Sequence, residues 1–207
     1  MLSGSWLYGT QTQSSDEDWR GVFQLPNTAF LGLSAPKTTF EAKPDQVYHE
    51  IGHYMRLLMK GNPNIVEMLF APDDVVHERS PIWNLLVELR EGFITSRMAS
   101  AYRGWALQEL ANFESGRIKD NPKRLSHIPR LVYELSDAVK YRFMQPRLTG
   151  RRLEFVMDVK EGLYGVDAVR IEVDEVIEDM GRWELPEPDY DDAEELLIDF
   201  RETYGRR

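Results

Sequence analysis

Apolar side chains recur three or four positions apart over most of the chain beyond residue 50. In the segment 50–60 this spacing would put the apolar residues on one face of a helix. A basic residue, a glycine and a proline follow, which is how helices commonly end. The same spacing predicts further helices over 81–100, 98–113 (a second helix or a bent extension), 153–162, 166–183 and 191–204.

The first part of the chain has a different pattern. Its short apolar run at 22–25 and the β-type run at 38–43 are typical of strands rather than helices. We therefore predict an α+β fold, with a small mixed β-sheet in a core over residues 1–78 and a mainly helical region over 79–207. A helix from about residue 47 to 60 should pack on that sheet.

The composition limits the class of protein and the kinds of cross-link and metal site that it can contain. The 207 residues are 42% hydrophobic, which is enough for a packed core, and they include no cysteine, which excludes disulfides and thiolate metal sites. No apolar run approaches the length of a membrane span, and no signal-peptide pattern opens the chain. We expect a cytoplasmic protein with no membrane partner.

The net charge of −10 is unevenly distributed. Acidic residues concentrate in 172–195. The segment 117–152, by contrast, contains ten arginines and lysines and only three acidic residues. This basic segment could face nucleoside phosphates or an RNA end, or it could be a solvated helix surface that balances the acidic tail.

The chemistry-bearing residues cluster near the N-terminus. A Gly4-Ser5 turn precedes Asp16 and Asp18, which on a strand would point to the same side. Paired carboxylates suit hard divalent cations, and a glycine lets the backbone approach a phosphate closely while the serine adds a hydroxyl donor. The pattern predicts a nucleoside triphosphate held beside a metal.

The string GSWLYGTQTQSSDEDWRGVF resembles the DNA polymerase β superfamily of nucleotidyltransferases. Within it, the chain is similar to the small predicted nucleotidyltransferases of bacteria and bacteriophages, including a group linked to RNA repair. The resemblance implies a metal-dependent transferase that uses Mg²⁺ or Mn²⁺. It also implies that Ser15 and Arg20 belong to the nucleotide-binding set with Gly4 and Ser5.

The family signature includes a third carboxylate on a later strand. Its following block, a strand, an Asp, a helix and then Lys-x-Asn-Pro-Asn before a Glu, resembles the stretch ending in KGNPNIVEMLF, where the Glu is Glu67. The resemblance places Asp45 as the third metal ligand. Glu50 is the alternative, although at a helix start it could instead interact with the helix dipole.

A later stretch also resembles the family. KRLSHIPRL is similar to its Lys-x-x-x-His-x-x-Arg helix, which implies that Lys123, His127 and Arg130 contact phosphates. Their i, i+4, i+7 spacing would place the three on one helical face. Pro129 departs from the pattern and could kink the helix.

These parts predict transfer of a nucleoside monophosphate from a nucleoside triphosphate to a hydroxyl, with release of pyrophosphate. The acceptor could be an RNA end, a protein or a small molecule, and the oligomeric state is open. An inactive nucleotide-binding or antitoxin-like module is one alternative.

A second alternative is a zinc hydrolase. The sequence HEIGH at 49–53 matches H-E-x-x-H, in which His49 and His53 would share a zinc on one helix face with Glu50 as general base. No third ligand in a recognised pattern follows.

Overall fold

The computed structural model describes residues 1–205, so the last two residues of the helical region expected over 79–207 lie outside the described part. It has an α+β fold, as predicted: a three-stranded mixed sheet near the N-terminus followed by a helical second half. The strands are β1 (Trp19–Phe23), β2 (Thr39–Lys43) and β3 (Gln46–Glu50).

The helices follow in chain order around and after the sheet. They are α1 (Ser5–Tyr8), α2 (Ile51–Met59), α3 (Pro63–Val66), α4 (Pro81–Glu88), α5 (Ser96–Glu114), α6 (Pro122–Leu125), α7 (His127–Tyr141), α8 (Gly150–Lys160), α9 (Val166–Met180) and α10 (Tyr190–Tyr204). Four short 3-10 helices occupy Asn27–Phe30, Glu67–Phe70, Asp73–Val75 and Arg90–Phe93.

The sheet has the order β1-β3-β2. Strand β1 runs parallel to β3, with Trp19 opposite Gln46 and Phe23 opposite Glu50, while β2 pairs with β3 antiparallel. The N-terminus extends this sheet, since Leu2 forms an antiparallel bridge to Trp19. Because β1 and β3 are parallel, the residues just before each strand meet at one edge of the sheet.

Helix α2 lies in the segment 50–60, where the apolar periodicity predicts it, but the expected start near residue 47 is wrong because Gln46–Glu50 form β3. Its Ile51, Tyr54 and Leu58 are buried in the main hydrophobic core, and the carboxylate of Glu50 caps the helix by accepting from the Gly52 N–H at 2.9 Å. The same core includes Leu131 from α7 and Phe200 from α10. A second core lies between α5, α7 and α9.

Two helices expected to be continuous are interrupted. The segment 81–100 divides into α4 and α5 because Thr95, in an extended conformation, caps a new helix by accepting from the Met98 N–H. The segment 123–131 divides at Ser126 into α6 and α7. Pro129 lies in the first turn of α7, where no intrahelical donor is needed, so it does not kink the helix.

Among residues 1–205, no helix combines the length and the apolar character needed to cross a membrane.

Candidate active site

The Gly4-Ser5 turn lies directly against Asp18. Gly4 has a φ of +58°, and a Cβ built on it would lie 2.1 Å from Asp18 Oδ2. The Ser3 N–H donates to the Asp18 carbonyl oxygen at 2.7 Å, which fixes the two segments together. Only glycine accommodates both the positive φ and this close approach.

The aspartates lie before strand β1, whereas the sequence predicted that they lie on it. Strand β1 begins at Trp19, so Asp16 and Asp18 precede it and are not strand residues. The β1–β3 ladder begins at Trp19 opposite Gln46 because β3 follows a turn in which Asp45 has a φ of +66°. The expectation that strand alternation aligns the two carboxylates is therefore wrong.

Asp18 and Asp45 nevertheless meet at one edge of the sheet. Each immediately precedes one of the paired residues Trp19 and Gln46, and the Trp19 N–H donates to the Asp45 carbonyl oxygen at 2.7 Å. Asp16 is exposed, and its carbonyl oxygen accepts from Trp6 Nε1 at 3.2 Å. Asp16 and Asp18 thus contact the segment that holds the Gly-Ser turn, whereas Asp45 contacts Trp19 at the start of β1.

The three carboxylates do not converge into a ligand cluster. Within residues 1–205 there is no group of three or more His, Cys, Asp or Glu side chains placed to hold a metal ion. The backbone brings Asp18 and Asp45 to the same edge, but closing a three-carboxylate site would require side-chain movement.

Glu50, the alternative third carboxylate, lies at the other end of the sheet. It pairs with Phe23, at the far end of β1 from Asp18. Its buried carboxylate caps α2, and Arg201 Nη2 lies 2.8 Å from Oε1, in an ion pair whose geometry is not that of a hydrogen bond. This position separates Glu50 from the two aspartates.

The HEIGH sequence does not form a zinc-binding helix. His49 is in β3, Glu50 is the cap, and α2 begins only at Ile51. The His49 and His53 rings are close, with centroids 5.4 Å apart, and burial together with the charge of His53 lowers the pKa of His49. Because the residues do not share a helix face and no three-ligand group occurs in the described chain, the geometry expected for a zinc hydrolase is wrong.

Arg20 lies in β1 beside this edge of the sheet, whereas Ser15 lies in the loop just before Asp16. Ser15 Oγ closes a turn by accepting from the Thr12 N–H at 2.8 Å. Arg20 Nη1 lies 3.5 Å from the Asp45 carbonyl oxygen. A direct role of either residue in nucleotide binding stays a prediction.

Lys123, His127 and Arg130 do not share one continuous helix, because Lys123 is in α6 and the other two are in α7. Lys123 is exposed, His127 is largely buried and Arg130 is 4% exposed. Burial, and then the charge of Arg130, lower the pKa of His127 to about 3, so its imidazole is neutral near pH 7.

Arg130 belongs to a buried ionic cluster. Its Nη1 donates to Glu67 Oε2 at 2.8 Å and to Glu134 Oε1 at 2.6 Å, and its guanidinium lies 3.7 Å from the centroid of the Tyr8 ring. The Tyr8 hydroxyl donates to Glu67 Oε1 at 2.6 Å. This Tyr8 cluster (Tyr8, Glu67, Arg130 and Glu134) links α1 to α7.

Burial raises the pKa of two acidic groups of the Tyr8 cluster. It raises the pKa of Tyr8, which keeps the hydroxyl protonated as a donor. It also raises the pKa of Glu134 to about 8, although the charge of Arg130 acts in the other direction. Arg130 is thus committed to neighbouring carboxylates, and a phosphate contact would require the cluster to rearrange.

The sequence did not indicate the Tyr8 cluster or Lys160. Tyr8 and Glu67 lie within two of the family-like stretches, and Glu134 is four residues after Arg130. No spacing rule, however, connects Tyr8 or Glu67 with Arg130, which lies much later in the chain. Lys160 Nζ donates to the Thr10 carbonyl oxygen at 2.6 Å from outside every motif.

Most cations of the basic segment are already paired with carboxylates. Ion pairs join Arg124–Glu109, Arg130–Glu67, Lys140–Asp179, Arg147–Asp74, Arg151–Glu172 and Arg152–Asp137. The segment is therefore not a uniformly basic surface, and the positions without such a partner are the ones that matter for an anionic ligand.

Comparison with known proteins agrees with the resemblance seen in the sequence. The chain is 24% identical over 159 residues to an uncharacterized 38.9 kDa protein of Enterobacteria phage T4, covering 67% of this chain and 47% of that protein. It is 32% identical over 143 residues to an uncharacterized protein of Methanocaldococcus jannaschii, covering 65% and 56%. The chain thus spans about half the length of these curated relatives.

No solved structure matches the chain. The model of the RNA repair pathway DNA polymerase beta family (RlaP) matches residues 1–148, which include the Gly-Ser turn, the three aspartates and the Tyr8 cluster. The chain therefore belongs to the RNA repair pathway DNA polymerase beta family.

Proposed function

We propose that the chain is a nucleotidyltransferase that moves a nucleoside monophosphate from a nucleoside triphosphate to a hydroxyl acceptor. The observation that carries this proposal is the contact between the Gly4-Ser5 turn and the Asp18 carboxylate. Two features far apart in sequence, one suited to phosphates and one to a divalent cation, meet at a single place. Family membership supports a reaction of the polymerase beta type.

The chain's own residues have distinct tasks in this reaction. Gly4 lets the backbone approach the phosphates, and the Ser5 hydroxyl donates to them. Asp45 accepts the proton of the attacking hydroxyl. The hydroxyl oxygen forms a bond to the α-phosphorus as the bond to the bridging oxygen breaks, and pyrophosphate leaves.

The donor set suits a divalent cation such as Mg²⁺ or Mn²⁺. Asp16, Asp18 and Asp45 offer the carboxylate oxygens that these ions prefer, and the glycine at position 4 lets the Asp18 carboxylate lie close against the turn. A cation bound by these carboxylates would neutralise charge on the attacking and leaving oxygens. The Asp45 position at the shared sheet edge favours it over Glu50 as the third ligand.

The test is incubation with each labelled nucleoside triphosphate, Mg²⁺ or Mn²⁺, and RNA, protein or small-molecule acceptors. We expect Asp16→Asn, Asp18→Asn and Asp45→Asn to lower transfer by at least about 100-fold with little change in stability, because each removes a charged ligand and no core packing. Glu50→Gln should retain transfer.

Glu17→Gln is the matched control, because Glu17 is an exposed carboxylate between the two aspartates. It should keep wild-type activity. Wild-type activity in all three aspartate variants would refute the site. Tight triphosphate binding without transfer to any acceptor would instead favour an inactive nucleotide-binding module.

A further inference from the structure

A cavity of about 460 Å³ lies between strand β1 and the start of helix α4. Residues 19–24 form one of its walls and residues 80–83 form another. Cavities of this volume commonly hold a small molecule or one group of a larger ligand. We call it the β1 cavity; the lining residues on which the argument depends are Trp19, Arg20, Gln24, Tyr48, His77 and Trp83.

The β1 cavity begins next to the candidate active site. Trp19 and Arg20, which line it, directly follow Asp18 in the chain. The Trp19 N–H donates to the Asp45 carbonyl oxygen at 2.7 Å, and Arg20 Nη1 lies 3.5 Å from the same oxygen. A ligand that extends along β1 from the cavity therefore reaches the sheet edge where the two aspartates lie.

Aromatic rings from separate segments line the β1 cavity. The Trp19 and His77 rings are in contact, with centroids 4.8 Å apart. Tyr48 pairs with Gly21, and a Cβ built on Gly21 would lie 2.6 Å from Tyr48 Cδ1, so the Tyr48 ring occupies space that only a glycine leaves. Trp83 adds a ring from α4. Trp19 and Tyr48 are half-buried and His77 is exposed, so these rings keep surface that a ligand can cover.

The polar groups of the β1 cavity suit a nucleobase with its backbone. Gln24 Nε2 donates to the Phe200 carbonyl oxygen at 3.2 Å, but its buried Oε1 has no hydrogen-bond partner within residues 1–205. After a rotation of the amide, the exocyclic amino group of a base would satisfy this acceptor. Arg20 adds a positive charge between the cavity and Asp45, which suits a sugar-phosphate backbone.

We propose that the β1 cavity binds the terminal nucleobase of an RNA acceptor, which stacks on Trp19, Tyr48 and His77. The proposal rests on the proposed function for the reaction, and it selects an RNA end over a protein or a small molecule as the acceptor. Stacking on aromatic side chains tolerates any base, because every base has a π-face. The ribose of the same nucleotide then lies towards the aspartates, where its hydroxyl attacks the α-phosphorus.

The test measures binding of a short RNA, labelled at its 5′ end, by fluorescence anisotropy. No metal and no nucleoside triphosphate are added, so the result does not depend on transfer. An RNA that ends in adenosine is compared with the same RNA whose last nucleotide lacks its base. We expect the wild-type protein to bind the intact RNA about tenfold more tightly or better, the value of one base stacked on an aromatic ring.

Variants of the lining rings should reduce this ratio of affinities. Tyr48→Leu and His77→Ala each remove a stacking surface, and His77 is exposed, so its truncation leaves the core intact. Gly21→Ala should have a similar effect although it removes no ring, because the added Cβ displaces the Tyr48 ring. Tyr141→Leu, at an exposed tyrosine that ends α7 outside the cavity, is the matched control and should keep the wild-type ratio.

The outcomes separate this proposal from the proposed function. Binding that depends on the terminal base and on Tyr48 and His77, without transfer of any nucleotide, would support the cavity and refute the transferase. Equal binding of the two RNAs by the wild-type protein would refute the cavity as an RNA site. Transfer to a protein acceptor that falls in Tyr48→Leu, together with equal binding of the two RNAs, would assign the cavity to a protein acceptor instead.

Discussion

At the scale of single residues, Arg130 shows how a buried cation is stabilised. It is enclosed by Glu67, Glu134 and the ring of Tyr8, all of them buried. One arginine facing two ionised carboxylates would leave a net negative charge in the core, which is costly. A proton retained by Glu134 near neutral pH removes that excess, in agreement with its raised pKa.

This proton makes stability depend on pH. Burial raises the pKa of Glu134 from 4.5 to about 8, so between these values the unfolded chain has lost a proton that the folded chain keeps. The contribution of Glu134 is fully present below pH 4.5 and is lost as pH rises toward 8, by up to about 1.4 kcal/mol per pH unit. We expect Glu134→Gln to flatten this decline, measured as the free energy of urea unfolding from pH 5 to pH 8.

The control for this change is Glu154→Gln, at an exposed position of α8. It should show the wild-type slope. The same slope in the Glu134 variant would mean that Glu134 is ionised in the folded protein, which would refute this assignment.

The contacts of single residues were also the features that the sequence predicted least well. Arg130 was assigned to phosphate because it is a cation in a family-like motif, but its partner Glu67 comes from a segment far earlier in the chain. No periodicity or spacing rule connects the two. Gly4 and Asp18, by contrast, were grouped by the family-like string that contains both, and they lie in contact in the structure.

At the scale of elements, the segment from Gly4 to Thr10 is fixed at several points. The Tyr8 hydroxyl is held by Glu67, the Tyr8 carbonyl accepts from the Leu148 N–H at 3.0 Å, and the Trp6 carbonyl accepts from Arg147 Nη2 at 3.1 Å. The helical second half thus holds this element from one side and Asp18 meets it from the other. Its backbone is preorganised for a ligand.

Replacing Gly4 tests whether this preorganisation matters. In Gly4→Ala the new Cβ would clash with the Asp18 carboxylate, and the positive φ alone would cost about 1–2 kcal/mol. We expect a lower melting temperature and nucleotide transfer reduced by up to about 100-fold, because the turn and carboxylate are pushed apart. Activity is measured with the labelled-nucleotide assay.

Gly116→Ala is the matched control, since Gly116 has a φ of +69° but nothing within 4 Å of an added Cβ. It should lose stability without losing activity. Equal activity in both variants would show that the close approach of the turn to Asp18 has no functional role.

Elements were predictable where their signals are local. Helix α2 was predicted because its apolar spacing and its stop signal are both contained in the segment. The break between α4 and α5 was not, since apolar residues continue across it and the decisive feature is the extended conformation of Thr95. The early start expected for β1 was wrong because the ladder depends on the partner strand β3.

At the scale of the whole molecule, helix α10, which lies beyond the residues 1–148 that the family model matches, packs against one end of the sheet. Phe200 of α10 enters the main core, and its carbonyl oxygen accepts from Gln24 Nε2 at 3.2 Å. Arg201 meets Glu50 at the end of β3 and lies 4.2 Å from the centroid of the Phe30 ring. The C-terminal helix therefore stabilises the end of the sheet opposite the candidate active site.

The Arg201–Glu50 pair tests this closure directly. Arg201→Met leaves the apolar stem but removes the charge that faces a carboxylate with 1% of its side chain exposed. We expect the free energy of unfolding to fall by up to about 3–5 kcal/mol, the usual cost of leaving a buried charge unpaired. Glu50→Gln should be milder, because its amide oxygen can still accept from the Gly52 N–H.

The double variant Arg201→Met with Glu50→Gln distinguishes two causes of the expected loss of stability. If the loss in Arg201→Met comes from an unpaired carboxylate, adding Glu50→Gln should recover most of it, and the coupling in a double-mutant cycle should exceed about 1 kcal/mol in urea unfolding. Arg182→Met, an exposed arginine between α9 and α10, should leave stability unchanged. Additive losses in the double variant would mean that Arg201 acts by packing on Phe30, and that Glu50 does not need α10 as its counter-charge.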